Sequence, residues 1–172
     1  MKNLIWTFIL SFFFVQIGIA CDCGFKNLED LQKQEIENSE CIFIGEIIEV
    51  NNDLTYKIKV VESLDGGDLQ ENIYIGKNWK SCQPYVEGKG TWLVYGGMEN
   101  GFLKMNICGL SRAFDKPVAP PSKSENGIIE STKQMTEEEL YAQFWKEQRI
   151  DLANEIAVLR RRRDGKLKKA SR

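Results

Sequence analysis

Residues 41–50 read CIFIGEIIEV, and this apolar run, rich in β-branched side chains, predicts a buried β-strand. The turn signal NND follows it, and polar and apolar residues then alternate over 54–61 as in a second strand. Three more short strands are predicted at 72–75, 90–95 and 102–108. Five short strands at this spacing predict a mainly β chain that forms a small antiparallel barrel or sandwich.

A short helix is predicted before these strands. Leu28, Leu31 and Ile36 fall at roughly helical spacing among charged residues, which indicates a helix within 25–38.

A long helix is predicted after the strands, within 136–172. It begins with a capping box in which Thr136 pairs with Glu139. Its apolar side chains recur at steps of three and four residues, with Arg149 interrupting them. Two interpretations fit this stripe: packing against the barrel, which the shortness of the stripe favours, and self-association as a coiled coil. The stripe consists of Ala142, Trp145, Leu152, Ile156 and Leu159.

Residues 1–20 have the three parts of a signal peptide. Lys2 supplies the positive charge, residues 4–17 are almost wholly apolar, and small residues precede the cleavage site after Ala20. A transmembrane anchor is the alternative, but the apolar run is short for a span of about 20 residues, and no charged cluster follows it. We therefore expect a secreted, extracellular or periplasmic protein whose mature chain starts at Cys21.

The chain has five cysteines, Cys21, Cys23, Cys41, Cys82 and Cys108, and an exported chain is expected to form disulfides. Because five is an odd number, one cysteine is free, lipidated or joined to another molecule. Four paired cysteines allow three connectivities, and their spacing does not choose among them. A cysteine-bound zinc is disfavoured, because C-x-C is tighter than the usual zinc spacing and the chain has no histidine.

Several functional classes are disfavoured by composition. The net charge of −2 gives no sign of a nucleic-acid partner, and an exported location argues against one. Without histidine, a nucleophile elbow or a phosphate-binding loop, the chain is not expected to be an enzyme or to hold a cofactor. Prolines and serines mark residues 115–135 as a linker between the strands and the C-terminal helix.

The end of the chain is strongly basic. Cations are favoured at a helix C-terminus, so a solvated helix end is one interpretation. Attachment to an anionic membrane or polysaccharide surface is the other, because four consecutive arginines exceed what a helix end requires. The residues concerned are Arg160, Arg161, Arg162, Arg163, Lys166, Lys168 and Lys169.

In the order of its features, a mature C-x-C terminus is followed by a helix, a strand over 42–47, the pair Ser81-Cys82, the run GKGTWLVY at 88–95 and a strand that ends at Cys108. This order resembles the tissue inhibitor of metalloproteinases family and the wider netrin-like domains. The resemblance covers 21–114 and indicates a single-domain, bacterial-type member. It implies an OB-type five-stranded antiparallel barrel, with the two predicted helices added at its ends.

The resemblance also implies a disulfide pairing, Cys21 with Cys82 and Cys23 with Cys108. Cys41 does not match the family's remaining half-cystine, and we interpret it as a buried free thiol that packs as a small hydrophobe.

The function implied is inhibition of a zinc metalloprotease, with Cys21, Asp22 and Cys23 as the inhibitory ridge. The α-amine and carbonyl oxygen of Cys21 would bind the protease zinc and displace its catalytic water. Asp22 departs from the family, which has a small residue there, and a carboxylate would be repelled by the protease's general-base glutamate. The C-terminal part also departs, because a linker and a helix replace a disulfide-rich domain.

Two alternatives remain open at this point. Residues 17–21 fit a permissive lipobox, so the chain could be a surface lipoprotein tethered through Cys21. A generic binding module is the other alternative, with aromatic side chains forming a stacking surface on the barrel. Packing in the core and rim of the barrel is the favoured interpretation of these aromatics. They are Trp79, Tyr85, Trp92 and Tyr95.

Overall fold

The structure, a computed structural model, describes Cys21 and residues 23–24, 26–80, 82–120 and 136–170. The predicted signal peptide, Asp22 and most of the predicted linker lie outside the described residues.

The described chain contains two helices and six strands. The five predicted strands are present, but the last one ends at Met105 and not at Cys108, which lies in the turn that follows. A two-residue strand that the sequence did not predict is also present. The elements are α1 Leu28–Asn38, β1 Cys41–Val50, β2 Thr55–Ser63, β3 Ile73–Lys77, β4 Gly90–Glu99, β5 Phe102–Met105, β6 Arg112–Ala113 and α2 Glu137–Ala170.

The first five strands close into a barrel. β1 pairs antiparallel with both β2 and β4, and β2–β3 and β4–β5 are also antiparallel. The ring closes between β3 and β5, which are parallel, with Gly76 opposite Leu103. The predicted mainly β, OB-type five-stranded barrel with a short and a long helix is confirmed. The antiparallel arrangement holds for all pairs but the closing one, because a ring of five strands cannot alternate direction throughout.

Strand β1 separates two apolar layers. Successive side chains of a strand point to opposite faces, so Phe43 and Ile47 enter the barrel interior while Ile42 and Ile44 face outward. All four are at most 6% exposed. The outer layer is covered by α1, α2 and Leu64, so the first half of β1 is buried on both sides. This explains why residues 41–44 are apolar without alternation, whereas Glu46 is exposed.

Inside the barrel, the closing strand leaves room for one aromatic ring. A Cβ atom at Gly76 would lie 2.1 Å from the ring of Tyr56, which is 1% exposed. Glycine at this position therefore lets the tyrosine ring pack directly on the backbone of β3.

Helix α2 docks on the barrel through the second half of the predicted stripe. Leu152, Ile156 and Leu159 are buried in the outer layer, which confirms the packing interpretation for this part of the helix. Ala142 is exposed and Trp145 is half-buried, so the first half of the stripe does not dock.

A buried ion pair fastens α2 to the barrel. The Nη2 of Arg112 donates to Oε2 of Glu155 at 2.6 Å, and both side chains are at most 4% exposed. The hydroxyl of Tyr95 donates to Oε1 of Glu155, and burial raises the pKa of this tyrosine, which keeps its proton in place. Gln32 of α1 donates to Oε2 of Glu155 at 3.1 Å. One carboxylate thus joins both helices to β4 and β6.

Replacing Glu155 with alanine should strongly destabilise the protein, because Arg112 would remain buried without its counter-charge. We expect the free energy of unfolding in urea to fall by about 3–5 kcal/mol. Arg149→Ala, at an exposed position of the same helix, is the matched control and should change it by less than about 0.5 kcal/mol. Similar effects of the two substitutions would contradict the fastening role of Glu155.

A second buried carboxylate predicts a pH effect. Glu35 is 2% exposed, and burial raises its pKa above the usual 4.5, although Asn106 donates to it at 3.1 Å. The folded state therefore binds this proton more tightly than the unfolded state, and its contribution to stability is lost as pH rises through the folded pKa. We expect the free energy of unfolding of Glu35→Gln to rise relative to that of the native chain as the pH increases from 4 to 8, because glutamine stays neutral when Glu35 would lose its proton. A difference that is constant with pH would show that Glu35 does not titrate in this way.

Candidate functional site: the disulfide-anchored N-terminal edge

Two disulfides fix the first described residues to the barrel. Cys21 is bonded to Cys82 and Cys23 to Cys108, with Cα–Cα distances of 5.8 and 5.4 Å. This is the pairing that the family resemblance implies. The bonds join residues 61 and 85 positions apart, so each constrains a long segment of the unfolded chain. We call Cys21, Cys23, Gly24 and the two partner cysteines the N-terminal edge.

The loops that carry the partner cysteines are held to each other. The N–H of Cys108 donates to the carbonyl of Gln83 at 3.0 Å. Nearby, the N–H of Asn106 donates to the carbonyl of Tyr95 at 3.1 Å, which fixes the loop to β4. Both anchor points of the N-terminal edge therefore belong to one hydrogen-bonded unit.

A buried asparagine orders the loop that contains Cys82. Asn78, which is 6% exposed, donates from Nδ2 to the carbonyl of Val86 at 2.9 Å and accepts from the N–H of Val86 at 2.8 Å. Trp79 adds a hydrogen bond from Nε1 to the carbonyl of Met105 at 2.8 Å. The Asn78–Val86 bonds thus join the two sides of the loop across the cysteine, and Trp79 joins the loop to β5.

The edge is also fixed on its downstream side. Asn27 caps α1 by accepting from the N–H of Asp30 at 3.0 Å, and Lys26 bonds Gln34 of the same helix. Helix α1 in turn packs on the barrel through Leu28 and Leu31. The chain is therefore anchored before, within and after Cys23.

Although it is anchored, the edge remains accessible. Cys21 is half-buried, Cys23 and Gly24 are exposed, and a Cβ atom at Gly24 would meet nothing within 4 Å. Cys23 and Gly24 are therefore open to a partner, and Cys21 is accessible in part.

The fifth cysteine is not part of the edge. Cys41 is free and only partly buried, with its Sγ 3.4 Å from the carbonyl oxygen of Gly96. Burial, followed by the charge of Asp68, raises its pKa to about 12, so the thiol is protonated and unreactive at neutral pH. The prediction of a free thiol agrees with the structure, whereas full burial was too strong a prediction.

The four aromatic side chains do not form one stacking surface. Trp92 is 9% exposed and Tyr95 is fully buried, so both belong to the core. Trp79 and Tyr85 are half-buried, and Lys104 Nζ lies 4.1 Å from the centre of the Trp79 ring. The favoured packing interpretation is therefore correct for Trp92 and Tyr95.

The basic tail is only partly available to an anionic surface. Arg160 and Arg163 both bind Glu62 of β2, with contacts of 2.6 and 2.9 Å, and Arg163 also donates to the carbonyl of Ser63 at 2.8 Å. These arginines, Arg160 foremost, lower the pKa of Glu62. Sequence reasoning missed this contact, because no local pattern links β2 to α2. The other predicted tail residues are exposed: Arg161, Arg162, Lys166, Lys168 and Lys169.

Among the described residues, no group of three or more histidine, cysteine, aspartate or glutamate side chains is placed to hold a metal ion. No helix in the described part of the chain is long and apolar enough to cross a membrane.

Neither a protein-family model nor a curated protein matches the sequence.

Removing the second disulfide should loosen the edge. We expect Cys23→Ser/Cys108→Ser to lower the free energy of unfolding by about 2–4 kcal/mol and to speed amide exchange at residues 23–24. Cys41→Ala is the matched control, since it removes a thiol without breaking a bridge. Unchanged exchange at residues 23–24 in the double variant would mean that other contacts hold the edge.

Proposed function

We propose that the chain is an exported inhibitor of zinc metalloendopeptidases, similar to a single-domain member of the tissue inhibitor of metalloproteinases family. One observation carries the proposal. Cys21, the residue at which the predicted signal cleavage would leave a new N-terminus, is bonded to Cys82 and lies two positions from a second disulfide. An α-amine created there would sit on a rigid and accessible segment.

The chemistry of such an amine suits zinc. Its reference pKa is about 7.7–8.0, so a neutral fraction with a free lone pair exists near pH 7. Catalytic zinc keeps one coordination position open for water or substrate, and an amine can occupy it. The carbonyl oxygen of Cys21 is in the same residue and can bind the same metal. Binding would then displace the water that attacks the substrate.

Rigidity is the contribution of the fold. A flexible N-terminus would lose conformational freedom when it binds, which weakens affinity. Here the two disulfides and the hydrogen bond from Cys108 to Gln83 already fix the edge. Most of the ordering therefore takes place when the protein folds.

Asp22 points to the kind of target. It lies between the two bridged cysteines, at the position that enters the specificity pocket of the protease in the family. A carboxylate there suits a protease with a basic pocket and disfavours one whose pocket is acidic or apolar.

The lipoprotein alternative requires the same sulfur atom as the first disulfide. Lipidation would form a thioether at Sγ of Cys21, which is the atom bonded to Cys82 in the structure. It would also block the amine. The bridge therefore supports the inhibitor over the lipoprotein, and the two differ in the mass of the mature protein.

The proposal predicts that inhibition depends on the free amine of Cys21. A protein that starts at Cys21 should inhibit one or more members of a metalloprotease panel, and a protein with one extra N-terminal alanine should lose at least about a hundredfold in affinity. The added residue removes the chelating geometry and leaves both disulfides intact, which intact mass and circular dichroism would verify.

Two results would overturn the proposal. Equal inhibition by both proteins would rule out chelation by the amine, and a diacylglycerol-sized mass increase on Cys21 of the native mature protein would establish the lipoprotein instead.

A further inference from the structure

Helix α2 has an apolar surface that the barrel does not cover. Leu140, Phe144, Ile150 and Val158 are 40–48% exposed, although they lie on the helix that docks through Leu152 and its neighbours. Ile150 precedes Leu152 by two residues and therefore lies about 200° around the helix from it. Burial of these side chains against a partner would remove their apolar surface from water.

The uncovered face has the spacing of a helix–helix seam. Six positions on this face follow one another at alternating steps of three and four residues, as in a coiled coil, and three of them are apolar: Leu140, Ile150 and Ala157. All are exposed or half-exposed, and Val158 extends the apolar part beside the last of them. The seam positions are Leu140, Gln143, Glu147, Ile150, Asn154 and Ala157. They differ from the docking stripe, so this face can bind a partner while the helix stays on the barrel.

Charge identifies the partner and its orientation. The 34-residue helix, about 51 Å long, starts with Glu137, Glu138 and Glu139 and ends with Lys168 and Lys169 in its last turn. Two such helices side by side in the same direction would place like charges together. In opposite directions, the acidic start of each meets the basic end of the other.

We propose that a second copy of this chain binds antiparallel along the seam of α2. The two-fold axis passes near Asn154, the middle of the helix, so that Ile150 of each copy lies close to Ala157 and Val158 of the other. The two barrels dock on the opposite side of their helices and face away from the seam. A lipid surface fits less well, because Glu147 within the seam and the acidic first turn would be repelled by anionic head groups.

The first test measures association of the mature chain, residues 21–172, by sedimentation equilibrium. We expect a dimer, and we expect Ile150→Glu to raise its dissociation constant at least about tenfold, since each dimer contains the substitution twice. Ile73→Glu is the matched control, because Ile73 is 51% exposed but lies on β3 rather than on α2. Circular dichroism would verify that both variants are folded.

The second test addresses orientation. Glu137→Lys/Glu138→Lys and Lys168→Glu/Lys169→Glu should each weaken the dimer about tenfold, and combining them in one chain should restore it. The Thr136–Glu139 cap, at 2.8 and 3.0 Å, is left intact by these substitutions. Failure of the combined variant to recover would exclude the antiparallel arrangement.

A monomer at every concentration would overturn the proposal outright. If that monomer also bound vesicles of anionic lipid, and Ile150→Glu abolished the binding, the uncovered face would belong to a membrane instead.

Discussion

Burial of β1 on both of its faces is the constraint on which the rest of the structure depends. Phe43 and Ile47 need a closed barrel on one side, and Ile42 and Ile44 need a covering layer on the other. The four other barrel strands meet the first requirement, and the two helices meet the second. Because β1 pairs with both β2 and β4, it also sets the register of the sheet around it. An apolar strand of this kind cannot be stable at the edge of an open sheet.

Polar contacts as well as apolar ones hold the two helices on the outer face of the barrel. Glu155 accepts hydrogen bonds from Arg112, Tyr95 and Gln32 at once, which is possible only where these three side chains converge. A buried pair of charges contributes little net stability compared with apolar residues of the same shape. Its effect is to allow one position of α2 on the barrel and to penalise the others. The same position places Arg160 and Arg163 beside Glu62.

The sequence predicted the elements that depend on local pattern. Alternation and β-branched residues located the five barrel strands, and the capping box located the start of α2. The sequence did not predict the parallel pair of β3 and β5, which results from the odd number of strands in the ring. The ion pair could not be predicted, because Arg112 and Glu155 are 43 residues apart and a glutamate within a charged helix has the pattern of a solvated one. Strand β6 could not be predicted for the same reason. Arg112 and Ala113 form a strand only because Leu93 and Trp92, which are distant in sequence, lie beside them. For the edge, spacing could not choose among the connectivities, and only the resemblance indicated the pairing.

The two bridges of the N-terminal edge have a consequence for resistance to cleavage. A protease cuts a chain that it can draw into an extended form across its active site. Cys21 and Cys23 are each bonded to the barrel, so neither cysteine can be drawn away from it while the disulfides are intact. If a peptide bond between these cysteines were cut, both new ends would stay attached through their sulfur atoms, and the products could not diffuse away. Cleavage at this place would therefore leave the cysteines attached to the barrel.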